Sequence, residues 1–259
     1  NHSLVAPQLA SGYDTSARGF TAQHTRLGFK GSVGDDDLKA GGVVELDFFG
    51  SSFETNLRPR MRIAYGWVRA GNFEARFGQQ WDIFSPNNAS TANTNGNMWF
   101  GGNLGFRRGM IQLIYSMPGE GFSPKLQLGL CEGTKEASGL GADNWAVLPM
   151  VQGRLSAKMN GGYSVGGAFV YAKHRLVPDD EEYDFTSTGF GGDFVLPFDK
   201  LLSLKGEVNV GTNLLNATMF SIAGKHVPGM EGIDEIDKKN MAVWLNATSH
   251  LHKSVVLVV

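Results

Sequence analysis

The sequence predicts an all-β chain folded as an up-and-down antiparallel transmembrane β-barrel. Three observations predict it. Segments of about ten residues alternate between apolar and polar side chains. The bulky apolar positions that share one face of these segments are interrupted by no charge. The links between segments alternate between short and long, as in membrane barrels with short turns on the periplasmic side.

The stretch RPRMRIAYGWVRAGNFEARFGQQW, Arg58 to Trp81, shows the alternation most clearly. Arg58, Arg60 and Arg62 occupy every second position, with Pro59, Met61, Ile63, Tyr65 and Trp67 between them or continuing their row. On a helix these arginines would share no face. On a strand they line one side and the bulky groups line the other. A three-residue turn at Ala70, Gly71 and Asn72 is expected to pair Tyr65 with Phe77, Trp67 with Ala75, and Arg62 with Gln80, which also sets Arg60 opposite Asp82. A two-residue turn would set Trp67 against Arg76, mixing opposite chemistries on one face.

Read in order, strands are expected near residues 24–33, 39–49, 57–69, 73–82, 107–117, 125–132, 149–158, 163–173, 189–196, 202–212 and 241–249, with a weak one at 254–259. Each is close to the length a tilted strand needs to cross a bilayer. Short links fall near 34–38, 70–72, 118–124, 160–162 and 197–201. Long ones fall near 50–56, 83–106, 133–148, 174–188 and 213–240.

Composition agrees with this reading. Among 259 residues, 35 glycines and only 9 prolines suit many strands joined by turns. No apolar run reaches the roughly 20 residues of a spanning helix. The net charge of -2 gives no reason to expect a nucleic-acid partner. Cys131 is alone, so neither an intrachain disulfide nor a cysteine zinc site can form. The chain is expected to be a single outer-membrane barrel domain over 1–259, incomplete at both ends, with about twelve strands readable.

The outward face is expected to carry Leu27, Phe29, Val33, Val44, Leu46, Met61, Ile63, Tyr65, Trp67, Phe73, Phe77, Ile111, Leu113, Leu126, Leu128, Leu155 and their counterparts further on. A soluble sandwich would show the same alternation around a closed core. The aromatic residues near strand ends, the strand lengths and the alternating links favour the membrane. The opposite face is basic: Arg26, Lys30, Lys39, Arg58, Arg60, Arg62, Arg76, Arg108, Lys125, Arg154, Lys158 and Lys205. Against them stand Glu45, Asp47, Glu74, Asp82, Asp193 and Glu207. Most remaining acids fall in links, as at Asp35–Asp37, Asp179–Glu182 with Asp184, and Glu231, Asp234, Glu235 and Asp237. A basic lumen attracts anions. The arginines are thus expected to form a ladder along a channel wall, on one side of the lumen across from the acids.

The segments TAQHTRLGFKGSV, LKAGGVVELDFFG and RPRMRIAYGWVRAGNFEARFGQQWDIFSP are similar to the N-terminal half of bacterial outer-membrane porins of the dicarboxylate-channel (DcaP-like) type. The similarity spans roughly residues 22–86; beyond it, only strand rhythm matches. The resemblance implies a 16-stranded homotrimeric barrel in the bacterial outer membrane, passing small anionic or polar solutes such as dicarboxylates. It also implies a third loop folded into the lumen, with Asn97, Met98, Trp99 and Phe100 as constriction candidates. The chain departs from the family at both ends: a first strand is missing, and VVLVV lacks a terminal aromatic residue.

Other constellations carry less. His174, His250 and His252 complete no metal-ligand spacing. GLGADN and GFGGD lie in β-context and open no helix, so they are not phosphate loops. Acids 179–184 read as a solvated loop rather than a cation site. Three N-x-S/T sequons, at Asn88, Asn216 and Asn246, mean little if the source is bacterial. Ser116 and Ser156 lack a histidine at matching depth, so a hydrolase is not expected. The expected function is therefore non-enzymatic, without cofactor or metal: an outer-membrane porin surrounded by lipid. The rival is a structural barrel that sheathes a larger complex and passes little solute.

Overall fold

The structure, a computed structural model, describes residues 22–23, 25–50, 57–88, 104–132, 145–146, 149–176, 183–198, 202–214, 239–252 and 255–258. Its strands are β1 (Leu27–Gly34), β2 (Leu38–Asp47), β3 (Arg60–Ala70), β4 (Phe73–Trp81), β5 (Arg107–Ser116), β6 (Phe122–Cys131), β7 (Trp145–Ala146), β8 (Met150–Met159), β9 (Ser164–Leu176), β10 (Tyr183–Pro197), β11 (Leu202–Thr212), β12 (Lys239–His252) and β13 (Val255–Val258). They form one antiparallel sheet in which each strand pairs with its sequence neighbours. The exception is the two-residue β7, which lies within an expected long link and adds to β9. The chain is thus an up-and-down meander, the topology that period two and short turns favour. Among the described residues β1 and β13 are the two ends of the path and do not pair with each other.

The sheet curls. Residues that follow β4 hydrogen-bond to β8, β10 and β11, strands far along the meander. That places them on a concave inner face. The convex face is apolar and open: Phe29 is 71% exposed, Phe190 69%, Met241 67% and Leu155 60%. Phe73, Ile111, Leu113, Leu126, Leu128, Val208 and Val243 lie exposed with them. Phe29 and Leu128 therefore converge in no core. An apolar surface of this extent belongs in hydrocarbon rather than water.

The expected strands are present, with boundaries that shift where links are involved. β9 and β10 run on to Leu176 and from Tyr183, so much of the expected 174–188 link is strand. Lys173 and Asp184 bridge across it at 2.9 Å, and Thr186 and Thr188 suit extended backbone. At the other end of the molecule, Asp35 caps the β1–β2 turn. Its carboxylate accepts the N–H groups of Leu38 and Asp37, which hold its pKa below the usual range. The turn is therefore anchored at neutral pH and loses that anchor as pH falls through the depressed value.

The 3–4 hairpin differs from expectation. Ala70 pairs with Phe73, so the turn is the two-residue Gly71-Asn72, and Trp67 lies opposite Arg76. Tyr65 faces Gly78 rather than Phe77. The reason lies two turns of the pleat earlier. On β2, Glu45 pairs with Ile63 but Leu46 pairs with Met61, so Arg62 is an extra residue, a β-bulge. Parity reverses there. Met61 remains outward at 48% exposure, while Tyr65 and Trp67 fall on the inner face and Val68 comes outward. Ile63, also expected outward, lies opposite the inner-face residue Glu45. Gly41 makes room for the turned-in indole: a Cβ there would sit 2.6 Å from the Trp67 ring. Gly78, at φ 128°, takes the matching irregularity on β4, where a Cβ would meet the Ala64 carbonyl at 2.3 Å.

Lipid contact makes a depth-dependent prediction. Leu126→Arg, at the middle of β6, should lower the unfolding free energy in lipid vesicles by about 2–4 kcal/mol, and Phe122→Arg, at its first residue, by about 0–1 kcal/mol. Urea titration of vesicle-embedded protein measures both. Equal costs at the two positions would show that the convex face does not sit in hydrocarbon.

Candidate functional site

The inner face carries the charges, and it carries them in pairs. Arg60 grips Asp47 with two parallel bonds, Nε to Oδ1 at 2.9 Å and Nη2 to Oδ2 at 2.6 Å. Arg62, buried by the bulge, donates to Asp47 Oδ2 at 2.8 Å and to Glu45 Oε1. Charge-assisted forks of this kind hold planar guanidiniums in fixed directions. Further along, Arg69 and Arg76 both donate to Glu74. Their guanidiniums stack over the turned-in rings, Arg69 on Trp67 at 5.4 Å and Arg76 on Tyr65 at 5.3 Å. Trp67 can lie opposite Arg76 because each has its own partner on the inner face, Arg69 for the indole and Tyr65 for the guanidinium.

The chain leaving β4 turns into the concavity. Asp82 is the hub. It accepts from Arg108 through both oxygens, at 2.7 and 3.1 Å, and from Phe106 N at 3.0 Å. Gln152 on β8 donates to Asp82 at 2.7 Å, and its own carbonyl accepts the N–H groups of Ile83 and Phe84 at 2.8 and 2.9 Å. Next, the Ser85 hydroxyl donates to Glu207 Oε2, while Asn87 N donates to Glu207 Oε1 at 2.6 Å. Trp244 donates its indole N–H to the same carboxylate at 3.1 Å. Ser85 adopts φ 54°, a left-handed turn that points the chain at this wall. Ile83 and Phe84 pack with Leu104, Met110, Cys131, Met150, Val170 and Leu214, all buried. Among the described residues, this is the hydrophobic core, and it lies inside the curl.

Beyond the inward segment, Arg154 forks onto Asp193 at 2.9 and 2.6 Å. The pair lies across Gly166, where a Cβ would come within 2.5 Å of Asp193 and 2.6 Å of Arg154. Lys125 and Lys158 share this end of the inner face with Ser116, Ser156 and Ser164. The fold thus gathers Arg60, Arg62, Arg76, Arg108, Arg154 and Lys158 with Glu45, Asp47, Glu74 and Asp82 on one face. Lys30, on the exposed β1, lies opposite Val43, which pairs with Tyr65, and so shares the parity of that face; Arg26 precedes that strand, and Arg58 bridges to Phe49 and accepts the Gly50 N–H at 2.9 Å. The expected separation of bases and acids onto facing walls is not what forms: each acid neutralises arginines on its own or an adjacent stretch of wall. Arg62 meets Glu45 and Asp47 rather than Gln80, because the bulge takes it out of the β3–β4 ladder. Asn97, Met98, Trp99 and Phe100 lie outside the described residues.

Several site residues escaped the sequence reading. Gln152, Ser85, Asn87 and Trp244 hold the inward segment, yet each is an ordinary residue for its place. Only the in-facing parity of Gln152 and Trp244 could have marked them. Arg107 is buried, stacked on Trp81 and Phe106 at 5.2 and 5.4 Å, with Nε and Nη1 unpartnered. No cluster of His, Cys, Asp or Glu among the described residues could hold a metal ion.

No family model matches the chain, and no curated protein matches it. Among solved structures it is similar to an anion-selective porin from Comamonas acidovorans, at 16% identity and TM-score 0.42, covering 92% of this chain and 78% of that one. It is also similar to OmpT, an outer membrane protein of Vibrio cholerae, at 10% identity and TM-score 0.42, covering 88% of this chain and 74% of that one. A loop L8 deletion mutant of OmpT gives 11% identity and TM-score 0.43, over 88% and 80%.

The tether can be cut at Gln152. Gln152→Leu conserves bulk but leaves the Ile83 and Phe84 N–H groups without an acceptor, at about 1–3 kcal/mol for each buried group. The urea midpoint should fall accordingly, and amide exchange at Ile83 and Phe84 should accelerate selectively. Unchanged exchange at both amides would mean that Gln152 does not hold the segment.

Proposed function

We propose that this chain forms the wall of a bacterial outer-membrane porin, a passive channel for small hydrophilic solutes with a modest preference for anions. One observation carries the reading: an exposed apolar outer face encloses an inner face of ion pairs, serines and lysines. Charged groups at that density require water, and water enclosed by a lipid-facing wall is a conduit. The segment from Ile83 to Asn87, tied to the opposite wall, narrows that conduit without removing its polar lining.

The preference is modest because the arginines are largely neutralised by Glu45, Asp47, Glu74, Asp82 and Asp193. The surplus positive charge rests on Lys125 and Lys158. Membership of the dicarboxylate-channel porins, a 16-stranded trimer and dicarboxylates as solutes belong to the same proposal. They rest on the resemblance over residues 22–86. The scaffold alternative is favoured by the filled core around Phe84, and it requires that no steady current pass.

Planar bilayers decide between them. Wild type should conduct and show an anion-directed reversal potential across a KCl gradient. Replacing Arg58, Arg60 and Arg62 together by Gln frees Asp47 and Glu45, moving the reversal potential toward cations. The shift should be largest at low salt and fade as the screening length drops below about 10 Å, near 0.1 M. Absence of conductance would favour the scaffold; an unchanged potential at low salt would remove this wall from the conducting path.

A further inference from the structure

The short-turn end of the inner face holds a cavity of about 540 Å³, roofed by Pro86 and Asn87 of the inward segment. Lys125 and Lys158 reach into it. Register places them together: Lys125 lies opposite Ser116 on β5 and Ser156 on β8, and Lys158 lies opposite Ser164 on β9. The two lysines are diagonal neighbours on adjacent strands, roughly 7–8 Å apart at the backbone, within reach of a common point for two flexible stems.

Neither ammonium has a hydrogen bond or an ion pair among the described residues, and the hydroxyls of Ser116, Ser156 and Ser164 are likewise unengaged. The charges that act most on Lys125 are Lys158, Arg76 and Arg154, all of its own sign, with Glu74 opposing. Glu74 is already taken by Arg69 and Arg76, and Asp193 by Arg154. Like charges gathered in a half-buried cavity need a counter-ion. The free donors define its shape. The planar guanidinium forks that would match a carboxylate are occupied. What remains are ammonium and hydroxyl groups, point donors that approach from several directions and suit an oxyanion with acceptors all round.

We propose that Lys125 and Lys158, with the hydroxyls of Ser116, Ser156 and Ser164, form a binding site for a compact tetrahedral oxyanion of the inorganic phosphate type. The site deepens the porin reading, on which it rests for access to free phosphate; the donors themselves do not depend on conduction. A solute held here lies beneath the narrowing, on the short-turn side.

Two measurements on the full-length protein separate the site from the channel. In detergent micelles, inorganic phosphate should bind saturably, seen as broadening of its phosphorus resonance. Affinity should fall about tenfold or more in K125Q/K158Q, while heat-modifiable gel mobility stays that of a folded barrel. Succinate should compete only weakly. In planar bilayers, phosphate should reduce chloride current in the wild type and not in the double variant. Unsaturable binding, or equal affinity in the double variant, overturns the site. Succinate binding as tightly as phosphate overturns the choice of a tetrahedral ligand. Phosphate binding without any current leaves the site standing and removes the porin reading. Should the double variant fail to fold, K158Q alone, at an exposed position, must weaken binding; unchanged affinity there overturns the proposal too.

Discussion

A strand with hydrocarbon on one side and water on the other must assign alternate side chains to each. This constraint shapes the molecule more than any single contact. It forces every backbone N–H and C=O into the ladder, since lipid offers no partner. It also leaves the convex face so apolar that Phe29, Phe190 and Met241 stand open. A soluble domain folds to hide such groups. Here the core lies on the other side, where Ile83, Phe84 and Leu104 pack beneath the inward segment.

Because the constraint has period two, it was legible wherever parity is unbroken. β4, β5, β6, β8 and β11 fall close to where alternation puts them, and Leu126, Leu128 and Leu155 face outward as expected. Between β1 and β12, parity fails at Arg62. Nothing local marks a bulge there: the surrounding residues alternate on both sides of it, and only the pairing with β2 reveals the slip. Alternation alone therefore puts Tyr65 and Trp67 in lipid. That placement favours a three-residue turn over the two-residue one that forms. One hidden residue thus produced both errors. Aromatic rings beside arginines fit either face, so their chemistry could not arbitrate.

The interior shows a second limit of sequence. Alternation reveals which charges face inward, but ion pairing depends on register between strands, which alternation alone does not fix. Arg60 with Asp47 and Arg154 with Asp193 pair across strand boundaries, in one case over a gap of 39 residues. A row of arginines reads as a strong positive wall, yet the folded wall is close to balanced along most of its length. The surplus falls at Lys125 and Lys158, where the nearby Glu74 is already taken by Arg69 and Arg76. Sign was legible; distribution was not.

The inward segment brings these strands of argument together. A strand that ends at Trp81 could release its loop to solvent, leaving the interior as open as the sheet allows. Instead Asp82 continues the inner row, and its two oxygens are shared between Arg108, Phe106 N and Gln152. Gln152 must then spend its carbonyl on Ile83 and Phe84, which draws the next turn inward and sets Ser85 and Asn87 against Glu207. Each bond leaves a buried group that the next one satisfies, so the segment is held as a unit rather than by its strongest contact. Its far side, Pro86 and Asn87, is also the roof over the lysines. The inward segment and the unpaired positive charge are therefore built on the same few residues.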